Sequence, residues 1–436
     1  MFNNFLNKYS LVVLDLSTKL FFILFTYLTT IYLSKEDFNQ LAYYRTTLMM
    51  LVGLSVTGIG YYILNYFNEV KDNSLEFRKF NTTSLFIIII ASIMIFFVLY
   101  FFKEVLHLSN IFDSIGFFTL YILIILAILF QISIYYIKVL NSFISIAKYY
   151  LVFFILFAVF TFYLLNNYQL NGAIFDLFSL YTILTISFIY VVLKSLKKIY
   201  KKNNSAYLIK DFVDYRFKSF LIPNILESFL SVPRTWLSMF IFIQLLSFNG
   251  VGDLILLQMV LGMFIFFIQS LLMNEYTQID LKDKKNRYIK IKKIKKMINI
   301  SIIILIFIVN IFWTQLQQVL NITELSNEFI LLLYIGTIIQ AQLMIIGMVF
   351  KKTDYSKLTF YHNLFYAISF LFIEYILISE FGQIGYAIAF LIAWVLTYLY
   401  MSYHLNKFDV LSIKSIFYES VFFICISLIL YYIRFY

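Results

Sequence analysis

Arg287-Tyr-Ile-Lys-Ile-Lys-Lys-Ile-Lys-Lys296 runs, after Met297, straight into Ile298-Asn-Ile-Ser-Ile-Ile-Ile-Leu-Ile-Phe-Ile-Val309, and the apolar run continues to residue 320. About twenty apolar residues in a row span a hydrocarbon core of about 30 Å. A lysine cluster at one end of such a run marks the cytoplasmic side, because Lys and Arg accumulate there. Within the basic segment, Ile289, Ile294 and Met297 recur among the lysines. That pattern suits an amphipathic helix lying on the cytoplasmic leaflet, with anchoring as its role.

The same alternation extends along the chain in both directions. Thirteen apolar stretches can be read, at roughly 11–33, 41–64, 82–102, 115–137, 146–166, 172–193, 219–247, 251–273, 298–320, 328–350, 357–378, 382–403 and 415–433. Of the 34 Lys and Arg, 28 fall in the N-terminal tail and in every second connection or at the edges of the stretches bounding it. Only Lys35, Lys103 and Arg434 fall on the other side, and Lys19, Arg45 and Arg234 lie inside apolar stretches. The chain is therefore expected to be an all-α polytopic protein of a bacterial inner membrane, with a cytoplasmic N-terminus. Its composition agrees, with 62% hydrophobic and 13% charged residues where a soluble domain carries about 25% charged. The net charge of +11 is the orientation signal beside anionic headgroups, so nucleic acid is not expected as a partner.

The stretches also repeat at long range. The second and eighth begin at 41 and 251, the fourth and tenth at 115 and 328, the fifth and eleventh at 146 and 357, and the sixth and twelfth at 172 and 382. Lys138 matches Lys351, and Asn171-Gly172-Ala173 matches Ile384-Gly385-Tyr386. Two homologous halves of six helices are expected, with the thirteenth helix appended. An even number of spans in each half makes the repeats parallel, and transporters built this way bind substrate between their halves. The expected division is a six-helix lobe at 1–193, a basic cytoplasmic linker at 194–218, a second six-helix lobe at 219–403, and an appended span within 404–436.

Much familiar chemistry is missing. No Gly is followed by Lys, so there is no Walker phosphate loop. His107, His362 and His404 are scattered and form no i, i+4 pair, and the single Cys425 excludes an internal disulfide. No metal or cofactor is expected, and no external connection is long enough for a soluble catalytic domain.

Charges inside the spans carry the functional signal, because one costs about 2.5–3.5 kcal/mol at a helix centre on insertion scales. Asp15 and Lys19 are four apart on one face of the first helix, Arg45 is in the second, and Glu227 and Arg234 are seven apart in the seventh. Lys19, Arg234 and Arg45 step from the inner third through the midplane to the outer third. They form a cationic ladder if all three face one cavity. Asp15 and Glu227 are the candidates for proton or ion coupling, or for simple neutralisation of the neighbouring cations. Asp176 and Glu374 fall near the outer ends of their helices, where water is expected to reach them. The chain has two prolines, Pro223 and Pro233, both in the seventh stretch. Proline kinks a helix, so a kink is expected beside Arg234.

Several short motifs resemble those of one family. Leu33-Ser-Lys-Glu-Asp-Phe38 is similar to its connection after helix one, with Asn39 in place of the usual Gly. Gly58-Ile-Gly-Tyr61 is similar to its second-helix glycine motif. Pro223, Arg234 and Gly250-Val-Gly252 follow its seventh-to-eighth helix pattern, with Pro233 where an Asp often precedes the Arg. Gly382-Gln-Ile-Gly385-Tyr-Ala-Ile-Ala389 matches best. Over about 1–403 the chain resembles the Wzx-type O-antigen and polysaccharide flippases of the multidrug/oligosaccharidyl-lipid/polysaccharide exporter superfamily. The resemblance implies a two-lobed, V-shaped helical fold with a central cationic cavity. It further implies alternating-access transfer of an undecaprenyl-pyrophosphate-linked glycan to the periplasmic leaflet. Arg234, Lys19 and Arg45 would bind the diphosphate, for which the planar guanidinium fork is suited. Membrane lipids, a polymerase and a chain-length regulator are the implied partners, and the protein is expected to act as a monomer. The competing readings are a drug/cation antiporter of the same superfamily, which would favour acidic cavity residues, and an integral-membrane polymerase or lipid-sugar transferase.

Overall fold

The computed structural model describes residues 18–102, 116–140, 144–202, 222–246, 250–276, 284–320, 322, 325–352, 356–405 and 413–435. Helices in order are α1 (Thr18–Tyr32), α2 (Lys35–Val70), α3 (Ser74–Phe102), α4 (Phe117–Leu140) and α5 (Ile144–Lys202). They continue with α6 (Ile222–Leu246), α7 (Val251–Tyr276), α8 (Lys284–Leu320), α9 (Asn327–Lys352), α10 (Ser356–Phe381), α11 (Gln383–Leu405) and α12 (Ile413–Phe435). α5 is two helices joined at Gln169, whose φ of 47° and ψ of −124° are not helical. The described part of each of the thirteen apolar stretches falls in a helix, the fifth and sixth being the two arms of α5.

By length and composition, six helical segments among the described residues can cross a membrane, and seven if the bent pair Lys35–Val56 and Gly58–Val70 counts as one span. α1 and parts of α6, α7 and α12 are apolar over shorter lengths. Six such helices make this a multi-pass membrane protein. Thirteen stretches read as spans, but fewer pass the length test, because several are cut short by residues outside the described set.

Short polar connections start helices by capping. Ser34 accepts from the Asp37 backbone N–H at 3.1 Å and donates to the Asp37 carboxylate at 2.7 Å. This satisfies an otherwise orphan donor in the first turn of α2. Ser326 caps α9 the same way, accepting from Phe329 N at 3.2 Å. Inside the helices, hydroxyls return their proton to the helix's own backbone: Thr47 to Tyr43 O, Ser55 to Leu51 O, Thr337 to Leu333 O and Thr397 to Ala393 O. In a medium without water this removes an unsatisfied donor at no need of a partner helix.

The chain divides into two compact units, Met1–Trp236 and Leu237–Tyr436. The division falls inside α6, past the basic linker 194–218, most of which lies outside the described residues. In the first unit α2 packs against α3, α4 and α5, and α4 runs along α5. In the second, α9 is central and packs against α7, α8, α10, α11 and α12, while α10 and α11 form a tight hairpin. Ile335, Ile339 and Leu343 of α9 meet Tyr398 and Met401 of α11 in its core.

The repeat is written into the backbone. The α5 break has φ 47° at Gln169, and the α10–α11 turn has φ 59° at Gly382. A Cβ added at Gly172 would lie 2.3 Å from the Leu164 carbonyl oxygen, and one at Gly385 would lie 2.0 Å from that of Leu377. Gln169 and Gly382, Gly172 and Gly385, and Leu164 and Leu377 are each 213 residues apart. A similar hairpin occurs once in each unit, with a positive φ at the turn and, three residues on, a glycine against the carbonyl of the corresponding leucine. Both copies need glycine three residues after the turn because only a residue without Cβ lets the second arm approach so closely.

Candidate functional site

In the first unit, Arg45 sits on the face of α2 that also carries Leu41, Leu48 and Leu51. Together with side chains of α3, α4 and the second arm of α5, these residues line a narrow cleft that is partly open to the outside. Among the described residues Arg45 is its only charged lining residue, and Tyr44 and Thr47 are the other polar ones. The guanidinium Nη1 donates to Thr26 Oγ1 of α1, and Thr26 in turn donates to Phe22 O at 2.6 Å. Its Cζ lies 5.5 Å from the centre of the Phe22 ring, a distance at which the ring face attracts a cation. Phe22 packs on the fully buried Tyr181 of α5 at 5.5 Å. Among the described residues no carboxylate pairs with Arg45.

Arg234 is half-buried in α6. Two residues on, the buried Trp236 donates through Nε1 to Thr47 Oγ1 at 3.1 Å. The segments bearing Arg234 and Arg45 are therefore neighbours, although residues two apart point about 200° away from one another on a helix. Lys19 is exposed on α1. Asp15 lies outside the described residues. Glu227, Pro223 and Pro233 belong to α6 by their backbone, and their side chains lie outside the described set. α6 begins at Ile222, so Pro223 occupies its first turn, where proline is tolerated. The helix runs on through Pro233 to Leu246.

Two acidic residues contradict the expectation that water reaches them. Asp176 and Glu374 are both 0% exposed. Thr161 donates to Asp176 Oδ2 at 2.6 Å, bridging the two arms of α5. Ser238 of α6 donates to Glu374 Oε1 of α10 at 2.8 Å. The second oxygen of each carboxyl is buried without a hydrogen-bond partner among the described residues. Height along a helix is legible from sequence, but the direction a side chain faces depends on which neighbours pack there, and both face helices. Near Glu374, Tyr386 accepts from Gln258 Nε2 at 2.5 Å and packs edge-on against Phe242 and Phe370.

Two further groupings were not legible. The rings of His362 and His404 lie 5.6 Å apart, with Tyr400 against both. These histidines are far apart in sequence but occupy adjoining ends of the α10–α11 hairpin. Lys295 of α8 pairs with Glu419 of α12 at 2.9 Å, and Asn299 donates to the same carboxylate at 3.0 Å. Gln342 of α9 completes the chain, donating to Asn299 Oδ1 at 2.9 Å. α12 is thereby fastened to both α8 and α9.

No family model matches the chain, and no curated protein matches it in sequence. Solved structures do resemble it. The lipid II flippase MurJ in an inward closed conformation aligns with a TM-score of 0.63 at 17% identity, over 97% of this chain and 98% of MurJ. A MATE transporter in the bent conformation aligns at 0.64 and 12%, over 95% and 96%. The bent form of the Vibrio cholerae MATE transporter VcmN aligns at 0.61 and 15%, over 92% and 97%. Near-complete coverage in both directions leaves no large domain unshared. This chain has the all-helical fold of the MATE and MurJ transporters of the MOP superfamily.

Proposed function

We propose that this protein is a flippase of the bacterial inner membrane that moves a lipid-linked oligosaccharide from the cytoplasmic to the periplasmic leaflet. The carrier would be an undecaprenyl pyrophosphate, and the product would feed assembly of a surface polysaccharide by a polymerase and a chain-length regulator. The chain would act as a transporter and not as an enzyme. One observation carries the reading: Arg45 lies in a membrane-embedded cleft without a carboxylate partner among the described residues. An unmatched guanidinium in an apolar site calls for an anion, and its planar fork of donors suits phosphate. Arg234 and Lys19 would extend the anion's path, with Arg234 nearest the midplane.

The test is surface glycan in a strain lacking its own polysaccharide flippase, with protein level measured alongside. Arg45→Ala and Arg234→Ala should each lose delivery at normal protein level, with Arg234→Lys restoring it partly and Lys19→Ala milder. Full complementation by both alanine variants would overturn the reading.

A second reading, a cation-coupled drug antiporter, is favoured by the buried carboxyls of Asp176 and Glu374. It expects Asp176→Asn and Glu374→Gln to abolish drug resistance in a sensitised strain while the arginine variants retain it. In the flippase reading these acids, with Asp15 and Glu227, would serve coupling instead.

A further inference from the structure

We infer that His362 and His404 form a two-imidazole site for a divalent transition-metal ion of the zinc and copper class, at the end of the α10–α11 hairpin away from its turn. Such a site stands whatever the protein transports.

The chain offers no i, i+4 histidine pair, so the pairing has to come from the fold. α10 and α11 pack closely on either side of the Gly382 turn. His362 and His404 lie at near-equal distances along the chain before and after that glycine, and antiparallel arms bring them level. Their ring centres are 5.6 Å apart, with the planes inclined at 65°. A zinc–imidazole bond is about 2.0–2.1 Å, and the ring centre lies about 1.1 Å behind the ligating nitrogen, so each centre sits about 3.2 Å from a shared ion. Two such ligands at a tetrahedral angle hold their ring centres about 5 Å apart, and a linear pair holds them about 6 Å apart. The observed separation falls between these limits. The two rings already stand at the spacing that one ion requires.

The surroundings suit such an ion. Tyr400 packs edge-on against both imidazoles, at 5.0 Å from His362 and 4.9 Å from His404, and is itself stacked on Phe365 at 4.7 Å. This wall restricts the imidazoles, and ligands ordered beforehand lose less freedom on binding. His362 is 0% exposed, whereas His404 is half-buried in the last turn of α11. One ligand is shielded and the other opens to the helix end, which provides an entry path. Imidazole suits zinc, copper and nickel, while magnesium and calcium take oxygen ligands. No third His, Cys, Asp or Glu joins the pair among the described residues. Water would complete the shell, which makes the ion exchangeable and leaves positions open, as closed structural zinc sites do not.

The test uses the full-length protein, without a histidine tag, in phosphatidylcholine nanodiscs. Zn²⁺ is titrated in competition with a chromophoric chelator, and Cu²⁺ is followed by electron paramagnetic resonance. Expected are one saturable Zn²⁺ per chain and a Cu²⁺ signal split by two nitrogens. His404→Gln should weaken Zn²⁺ binding at least tenfold and leave one nitrogen in the Cu²⁺ signal, and His362→Gln should do the same. Should the buried His362→Gln fail to accumulate, the half-buried His404→Gln decides alone. Tyr400→Phe keeps the ring and removes the hydroxyl, and should change neither readout. His107→Gln and Cys425→Ser remove the remaining imidazole and the thiol, and should also change neither. An excess of Mg²⁺ should not displace the Zn²⁺. Absence of saturable binding would leave the three rings as an aromatic contact only and overturn the proposal. Unchanged binding in His404→Gln, at normal elution of the purified protein, would overturn it too, as would loss of binding in His107→Gln or Cys425→Ser, which would put the ion elsewhere.

Discussion

At the residue scale, the most consequential side chains are charged groups held where charge is expensive. Glu374 and Asp176 each accept one hydroxyl hydrogen bond and bury the other oxygen without a partner. The donors, Ser238 and Thr161, are buried as well, so removing one leaves the carboxyl with no donor in an apolar surround. Such a loss costs about 1–3 kcal/mol. Ser238→Ala and Thr161→Ala are therefore expected to lower the thermal unfolding midpoint of the purified protein, while the exposed Ser379→Ala is not. An unchanged midpoint in both buried variants would show that another group takes the hydroxyl's place. Sequence singled out Arg45 as a cation within an apolar stretch because depth along a helix can be read from position in the run. It misjudged the environment of the two acids because azimuth is set by packing partners far away in sequence. Ser238, for instance, precedes Glu374 by 136 residues.

At the element scale, the hairpin that occurs in both units shows what a weak motif can encode. The signature Gly382-Gln-Ile-Gly385 has two distinct jobs. Gly382 adopts φ 59°, which closes the turn, and Gly385 lets α11 pass the Leu377 carbonyl. The first unit keeps the second glycine, as Gly172, but puts Gln169 at the turn. A non-glycine residue at that φ and ψ is strained by about 1–3 kcal/mol. Gln169→Gly should therefore raise the unfolding midpoint. Gly172→Ala and Gly385→Ala should lower it, since each Cβ would fall within 2.3 Å of a carbonyl oxygen and overpacking costs about 1–3 kcal/mol. A destabilised Gln169→Gly would mean that its side chain makes contacts outweighing the strain. The long-range repeat was legible because apolar runs and turns recur at a fixed spacing. Whether a connection is a separate turn or a break within one long helix was not, because the difference lies in a few backbone angles at Gln169.

At the scale of the whole molecule, the charge pattern assigns a side to every connection, and the number of spans then decides where the chain ends. Thirteen spans with a cytoplasmic N-terminus would put the C-terminus outside. The packing of α12 bears on this directly. Lys295, near the beginning of the apolar part of α8, pairs at 2.9 Å with Glu419, near the beginning of α12. Asn299 and Gln342 extend the network on the same level. Further along, Ser427 of α12 meets Tyr334 of α9 at 3.5 Å. Glu419 of α12 is therefore level with Lys295 and Asn299 of α8, and α12 runs antiparallel to α9, since residue numbers rise from Glu419 to Ser427 as they fall from Gln342 to Tyr334. The ninth and thirteenth stretches are both odd-numbered, so in an uninterrupted zigzag they enter from one face, as this pairing requires. By the positive-inside rule the lysine-rich segment preceding α8 is expected on the cytoplasmic face. A periplasmic reporter fused after Tyr436 should thus be active and a cytoplasmic one silent, with the opposite result for fusions within 194–218 and 274–297. Cytoplasmic activity at Tyr436 would mean that α12 packs against its neighbours without crossing, which leaves twelve spans.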